Sequence, residues 1–430
     1  HRKFDSPEAS RCCRMVRNLR REMVMLNDHI DDYLTARTER RLKLAKMTRY
    51  LAEELPRQLE QSMAQYQQQL EAVVELSKGL AELQQGMNKL AAPTPGGNRR
   101  SAVSDTGGTT FTYTDTLRRV SRQNMVFVTN PSGDVRITGW NKPMITAELT
   151  FAVAADSPAD EQNFAKHTVL SLDAGTNRYT VGARYPQRQT QPAHLLRSSL
   201  VVRLPETNPV NTESGFGQIS VSNLNTTVQV TGHHADIDLD QLNGSVAVSN
   251  NQGSIHAAAI EGALSVSQIN GQVEVSNCKG GISLANSSGA INLSDCSGKV
   301  RLSGSGTAIT TEHVEGTLTI ENSYGSVEVR NVDGDLTVTN AYDIIRLRNV
   351  RGHTRIGNSY SSISAYRLAG PVNVTNTYGA INLESFSGPL SVENEGAAIQ
   401  LVIDDKLTGT SRVFNDNGDI TIELPATDDL

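Results

Sequence analysis

The sequence predicts a mainly β protein whose larger part is a parallel β-helix, a β-solenoid built from eighteen-residue, two-strand coils. Three observations predict it. From Gly217 to Gly396 the chain keeps a nine-residue frame without insertion, with Gly at the first position in fifteen of twenty units and Val, Ile or Leu at the third in nineteen. A short period held this long marks a stacked repeat. The eighth position of alternate units reads Leu224, Leu242, Ile260, Cys278, Cys296, Val314, Val332, Val350, Leu368 and Phe386, while the intervening units are mostly small or polar there. Two unlike bends per coil follow, and ten coils over 217–396. The composition agrees: 37% hydrophobic residues, 5% aromatic and 34 glycines in 430 residues suit a fold that buries few side chains per unit, not a large enzyme core.

The elements follow in chain order. Residues 1–92 read as helical. Ser6 can cap, Pro7 suits the first turn and Glu8 follows, giving one helix over about 7–55. Pro56 breaks it, and a second helix is expected over about 57–91. Leu76, Leu80, Leu83, Met87 and Leu90 fall at heptad spacing, as do Leu59, Met63, Tyr66, Leu70 and Val73 in a different phase. Such a coiled-coil-like stripe needs a partner, so this segment is expected to dock or oligomerise. Arg14, Arg17 and Arg21, with their Arg neighbours, make a basic stretch that could touch anionic headgroups, although a solvated helix face explains it as well. Residues 93–122 are rich in Pro, Gly, Ser and Thr and read as linker. Residues 123–216 hold irregular strand candidates that would cap the stack.

In each nonapeptide the third and fifth residues point to one face of a short strand, and the second, fourth and sixth to the other. Gly and Asn at the first and seventh positions mark bends. One strand cannot stabilise itself, but stacked strands bury a continuous core. At about 4.8 Å per coil, ten coils span about 48 Å. Tyr324, Tyr342, Tyr360 and Tyr378 recur every eighteen residues and should stack. Asn322, Asn340, Asn358, Asn376 and Asn394 should form a ladder beside them, pairing amides from coil to coil. The tail over 397–430, with VFNDNGDITIELP, is expected to supply strands that close the open end.

Several chemistries are disfavoured. A net charge of −6 argues against bulk nucleic-acid binding. No apolar run is long enough to span a bilayer. Calcium-binding nonapeptides carry Gly-rich, Asp-bearing turns, whereas these units carry Asn or Ser there, so no metal or cofactor is expected. Asp236, Asp238 and Asp240 read as a solvated acidic strand. Glu328, Arg330, Arg346 and Arg348 could furnish a glycan-cleaving site, but an uninterrupted frame lacks the loops that usually carry catalysis. Cys278 and Cys296 are stacked and in disulfide range, and are expected as buried thiols. Thr227, Gln229, Ser245, Ser249, Ser265 and Ser283 lie on a charge-free face that could pack against another surface.

NMVFVTNPSGDVRITGW, SSLVVRLPETNPVNTESGFGQISVSN, the nonapeptides and the closing NGDITIELP resemble the bacterial adhesin-like β-strand repeat family, the auto-transporter adhesin head domains, over about 123–426. The resemblance implies a parallel β-helix in a bacterial envelope, periplasmic or at the cell surface, and no catalytic residues. The N-terminal segment lies outside it. The expected function is that of a non-enzymatic structural or interaction protein, homo-oligomeric, with protein partners in an envelope assembly and membrane contact near the N-terminus. The solenoid would serve as rigid spacer or contact surface. The alternatives are an adhesive or glycan-binding module that uses the Tyr ladder as a stacking platform, and a polysaccharide-cleaving enzyme. The chain begins at His1, so a preceding segment is expected to hold the localisation signal, and a cytoplasmic face stays open.

Overall fold

A strand that is apolar on one face persists only when neighbours cover its edges. Here the neighbours are the same strand, eighteen residues on. The computed structural model describes residues 100–103 (backbone), 108–186, 193–404 and 407–424, within a unit spanning Gly96–Leu430. The helices expected over 1–92, with the Leu76–Leu90 stripe and Arg14, Arg17 and Arg21, lie outside the described residues.

In the repeat, Val228 and Val230 pair in parallel with Val246 and Val248, these with Leu264 and Val266, and these with Ile282 and Leu284. The other side of each coil does likewise, from Ile237 and Leu239 to Ile255 and Ala257, then Val273 and Val275. The register persists to Leu390 and Ile399. The third and fifth positions, together with the apolar eighth ones, form one continuous buried core. The stack has about twelve turns, more than the ten of the nine-residue frame, because coils are added at both of its ends.

Two kinds of bend close each coil. In the first, the seventh residue takes a left-handed backbone. The series runs Asn223, Gln241, Ala259, Asn277, Asp295, His313, Asn331, Asn349, Arg367 and Ser385, all with φ between 52° and 58° or close above, up to 60°. That residue breaks the in–out alternation of the strand, so the eighth side chain turns inward instead of outward. This is why Leu224, Cys278, Val332 and Phe386 are each no more than 2% exposed. After this bend a glycine is required in several coils: a Cβ on Gly262 (φ +136°) would meet the Gly244 carbonyl oxygen at 2.4 Å. The second bend keeps the alternation for one more residue, and the seventh side chain stays inside.

The N-terminal region caps the stack in an order that the chain does not follow. It comprises β1 (Arg100–Val103), β2 (Thr109–Arg118), β3 (Met125–Asn130), β4 (Asp134–Trp140), β5 (Met144–Ala154), α1 (Pro158–His167), β6 (Val169–Ala174), β7 (Arg178–Arg184), β8 (His194–Pro205) and β9 (Val210–Leu224). β3 and β4 form a coil directly against β9, with Val126 opposite Val210 and Val135 opposite Ile219. On their other side lie β7 and β8, with Val126 opposite Tyr179 and Val135 opposite Leu200. β6 then pairs antiparallel with β7, β5 with β8, and β2 with β5. Strands β1 and β2 fall in the stretch expected as linker. The alternation of β2 places Phe111 and Tyr113 against Phe151 at 5.5 and 5.3 Å between ring centroids, and those rings overrule the local Gly/Ser/Thr signal. Helix α1 is capped by Ser157, whose Oγ accepts from the Asp160 amide at 3.2 Å. Burial pushes Tyr185 up to about 12, and its hydroxyl donates to Asn130 Oδ1 at 3.0 Å.

The tail was expected to close the opposite end. It extends the stack instead: Val413 pairs with Val392 and Ile420 with Ile399, in parallel. No described residue covers this last coil, and Ile420 and Ile422 stay 44% and 47% exposed.

Candidate functional site

The second bend concentrates the unusual features of the molecule. Its seventh position is a buried amide in most coils: Asn250, Gln268, Asn286, Asn322, Asn340, Asn358, Asn376 and Asn394. These amides were expected to pair with one another. Each instead spends its NH₂ group on backbone carbonyls. Asn322 Nδ2 donates to the Gly325 carbonyl at 2.8 Å and to the Thr307 carbonyl at 2.9 Å. Asn340 repeats this with Gly325 and Asp343, and Asn376 with Ser361 and Gly379. The two acceptors are equivalent residues of successive coils. One amide therefore ties its own bend shut and ties it to the bend before, which backbone pairing alone cannot do because the carbonyls point inward. Alternation explains the difference from the expectation: the amide faces the interior, where the nearest unpaired acceptors are backbone. The side-chain oxygens of these amides find no partner among the described residues.

Two residues after the seventh position, in the coils from Gly304 onward, the chain again needs a left-handed residue. Gly306, Tyr324, Tyr342, Tyr360, Tyr378 and Gly396 supply it, with φ of 67°, 59°, 70°, 64°, 64° and 91°. In earlier coils the requirement falls one position later, on Gly253, Gly271 and Gly289. A bulky residue in this region is uncommon and costs energy that glycine avoids. Four tyrosines in a row accept that cost. Their amides keep the ladder intact, donating to the next coil at Ala341, Ser359, Thr377 and Glu395 over 3.0, 2.9, 2.8 and 2.6 Å.

The four rings point outward and are 64%, 51%, 57% and 56% exposed. Successive centroids are 4.5, 5.0 and 5.4 Å apart, with interplanar angles of 2°, 3° and 26°. The predicted stacking is present, and it changes what the column can bind. Each inner ring has a neighbour on both faces, so the stacking platform expected for sugars is largely consumed. What faces solvent is a row of ring edges and phenol oxygens. A hydrogen bond to Tyr324 and its proximity raise the Tyr342 phenol above its ordinary value.

Gln229, Ser265 and Ser283 lie in one register line with Ala247, and Ser249 lies beside them, on a solvent-facing side of the sheet. Thr227 and Ser245 are exposed at its margin. No described residue covers this face, and the next coil ends it with Arg301, which pairs with Glu321 at 2.8 Å. Arg330 Nε donates to Glu328 at 3.0 Å, and Arg348 lies over the Tyr366 ring at 5.3 Å, so the one carboxylate of that cluster is paired within it. Asp236 accepts from the Ser254 hydroxyl and amide at 2.7 and 2.8 Å, which lowers its carboxyl below the usual value. Among the described residues no three His, Cys, Asp or Glu side chains converge as a metal site. Cys278 and Cys296 are buried free thiols. Their shared hydrogen bond, and then burial, hold Cys296 in the thiol form.

Two adjoining grooves of about 580 and 730 Å³ run along the first bend and meet at His313 and Glu315. Their walls carry paired side chains: His313 Nδ1 lies 3.1 Å from Asp295 Oδ1, and Arg351 pairs with Asp333 at 3.1 Å. The signal for them was the run of amide and charged residues at the seventh position, where strand alternation would have called for apolar ones.

No protein-family profile matches the chain, and no curated protein matches it. Solved structures that the chain matches include a candidate cell adhesion protein from Clostridium sporogenes, at 11% identity over 73% of this chain and 98% of that one, with a TM-score of 0.18. A candidate adhesin from Parabacteroides distasonis is 13% identical over 72% and 96%, with a TM-score of 0.22. Another from Bacteroides fragilis is 11% identical over 72% and 96%, with a TM-score of 0.18.

Proposed function

We propose that this chain is a non-enzymatic interaction protein of the bacterial envelope. Its N-terminal segment assembles copies, and its solenoid holds the tyrosine-bearing bend outward as a contact surface. The observation that supports this is the exchange of Gly for Tyr along one bend. Gly306 and Gly396 make the same turn without a ring, so the fold itself does not need the tyrosines. Strain kept at exposed positions that the scaffold could fill more comfortably points to display. The insertion-free stack supplies stiffness, because every coil is bonded to its neighbours along its length.

Two measurements on the purified full chain test the proposal. Light scattering at micromolar concentration should give a mass above that of one copy, and Leu80→Ser with Met87→Ser should lower it. A monomeric wild type would remove the assembly part. Incubation with plant and bacterial polysaccharides should release no reducing ends, and sustained turnover would remove the non-enzymatic part.

A further inference from the structure

We infer that the tyrosine bend is a binding site for a neutral, extended, β-linked glycan that lies along the solenoid axis and meets the edges of the rings. The inference rests on the interaction reading only in taking the column to be a contact surface.

Ring geometry selects the chemistry. An aromatic face is electron-rich and attracts cations, whereas its edge is electropositive. The inner faces are covered at 4.5–5.4 Å by neighbouring rings, so cation recognition at those faces is blocked. The edges and the phenol hydroxyls are left, and both suit a ligand covered in oxygen atoms. An edge favours an acceptor oxygen, and a phenol both donates and accepts.

Charge narrows the class. The residues that immediately precede the rings are Ser323, Ala341, Ser359 and Thr377, and those that follow are Gly325, Asp343, Ser361 and Gly379. None is basic, so a polyanion finds no counter-charge, and Asp343 would repel it. Small hydroxyl-bearing side chains also keep the flanks low, which lets a long ligand lie on the ridge.

Period selects the shape. The contacts recur once per coil, near the spacing of stacked strands of about 4.8 Å. An extended polypeptide places its residues about 3.3 Å apart and falls out of step within two rings. A two-fold β-1,4-linked hexose chain advances about one coil height per sugar and turns over at each step, so each ring meets one sugar and alternate rings meet equivalent oxygens. Four weak contacts on one rigid ligand then act together, and linked contacts can exceed a single one by about 10²–10⁴-fold. Tyr324 adds one stacking contact. The coil before it carries Gly306 at the equivalent position, so no fifth ring stacks there, and among the described ring contacts Tyr324 stacks on Tyr342 alone.

The test uses the full chain with insoluble cellulose and chitin as probes, starch as the α-linked control and alginate as the polyanion. The expected result is at least tenfold greater retention on one of the β-linked probes than on starch or alginate. Calorimetry should show cellohexaose or chitohexaose binding at least tenfold tighter than the disaccharide. Tyr342→Gly with Tyr360→Gly should abolish retention while the thermal midpoint stays the same or rises, since glycine suits both positions. Equal retention by that variant, or none by the wild type, overturns the inference. If the wild type ignores every glycan but the variant changes the oligomeric mass, the column is a protein contact: the glycan is rejected and the interaction reading stands. If the variant alters neither, the contact-surface reading falls as well.

Discussion

Single residues of this protein carry work that a strand repeat normally spreads over many. Asn340 is the sharpest case. Its amide is the only described side-chain donor to the stacked carbonyls of Gly325 and Asp343 apart from the equivalent amides of neighbouring coils. Asn340→Ala removes two hydrogen bonds, each worth about 0.5–1.5 kcal/mol net, while Asn322 and Asn358 still donate to the same two carbonyls. Urea unfolding should therefore show a loss of about 1–3 kcal/mol, with circular dichroism at zero urea unchanged. A loss below about 0.5 kcal/mol would show that the clamp is incidental, since surface changes fall in that range. The Asn ladder was legible in the sequence as a period. What it bonds to was not, because a one-dimensional pattern does not say whether an amide points along the stack or across the bend.

At the scale of elements, the two bends differ by where the left-handed residue falls. At the first it sits at the seventh position and swings an apolar eighth residue into the core. The sequence revealed the consequence, the apolar series from Leu224 to Phe386, but hid the cause. Asn, Gln, Ala, Asp, His, Arg and Ser share no feature that announces a positive φ. Asn349 offers a test, since its φ is 58° and its amide donates to Asn331 at 2.8 Å. Asn349→Gly should be nearly neutral, because glycine takes this conformation freely. Asn349→Val should cost about 1–2 kcal/mol, because a β-branched side chain crowds the left-handed backbone. Thermal denaturation of the pair would show the order, and equal midpoints would mean that the bend relaxes out of the left-handed region. The cap was the least legible element. Nothing local in β3 says that its neighbours are β7 and β9, since only tertiary contact joins Val126 to Tyr179 and Val210.

At the scale of the whole molecule, the repeat is eighteen residues and not nine, and this makes a simple prediction. Deleting 334–351 removes one full coil, from the first bend's glycine to the next, and leaves every remaining residue over its equivalent. Such a chain should fold, with a sigmoidal urea transition and a slightly smaller m-value in keeping with its lost surface. Deleting 334–342 removes half a coil. It brings the amide clamps over the apolar bend and buries polar groups among Val332 and its neighbours, so this chain should be expressed insoluble or melt far lower. Equal stability of the two deletions would mean that the bends are interchangeable.

The cap also gives the stack a direction. One end is sealed by β5–β8, which return to cover a coil made earlier in the chain, while at the other Ile420 and Ile422 stay exposed among the described residues. Coils can therefore be gained or lost by duplication only on the far side of the seal, where each new one meets an edge identical to the last. Lineages of this chain should vary in reach through whole-coil additions between the lid and the tail. The lid is the fixed zero of the ruler, and the tyrosine rungs are marks whose distance from that zero can change without being redesigned.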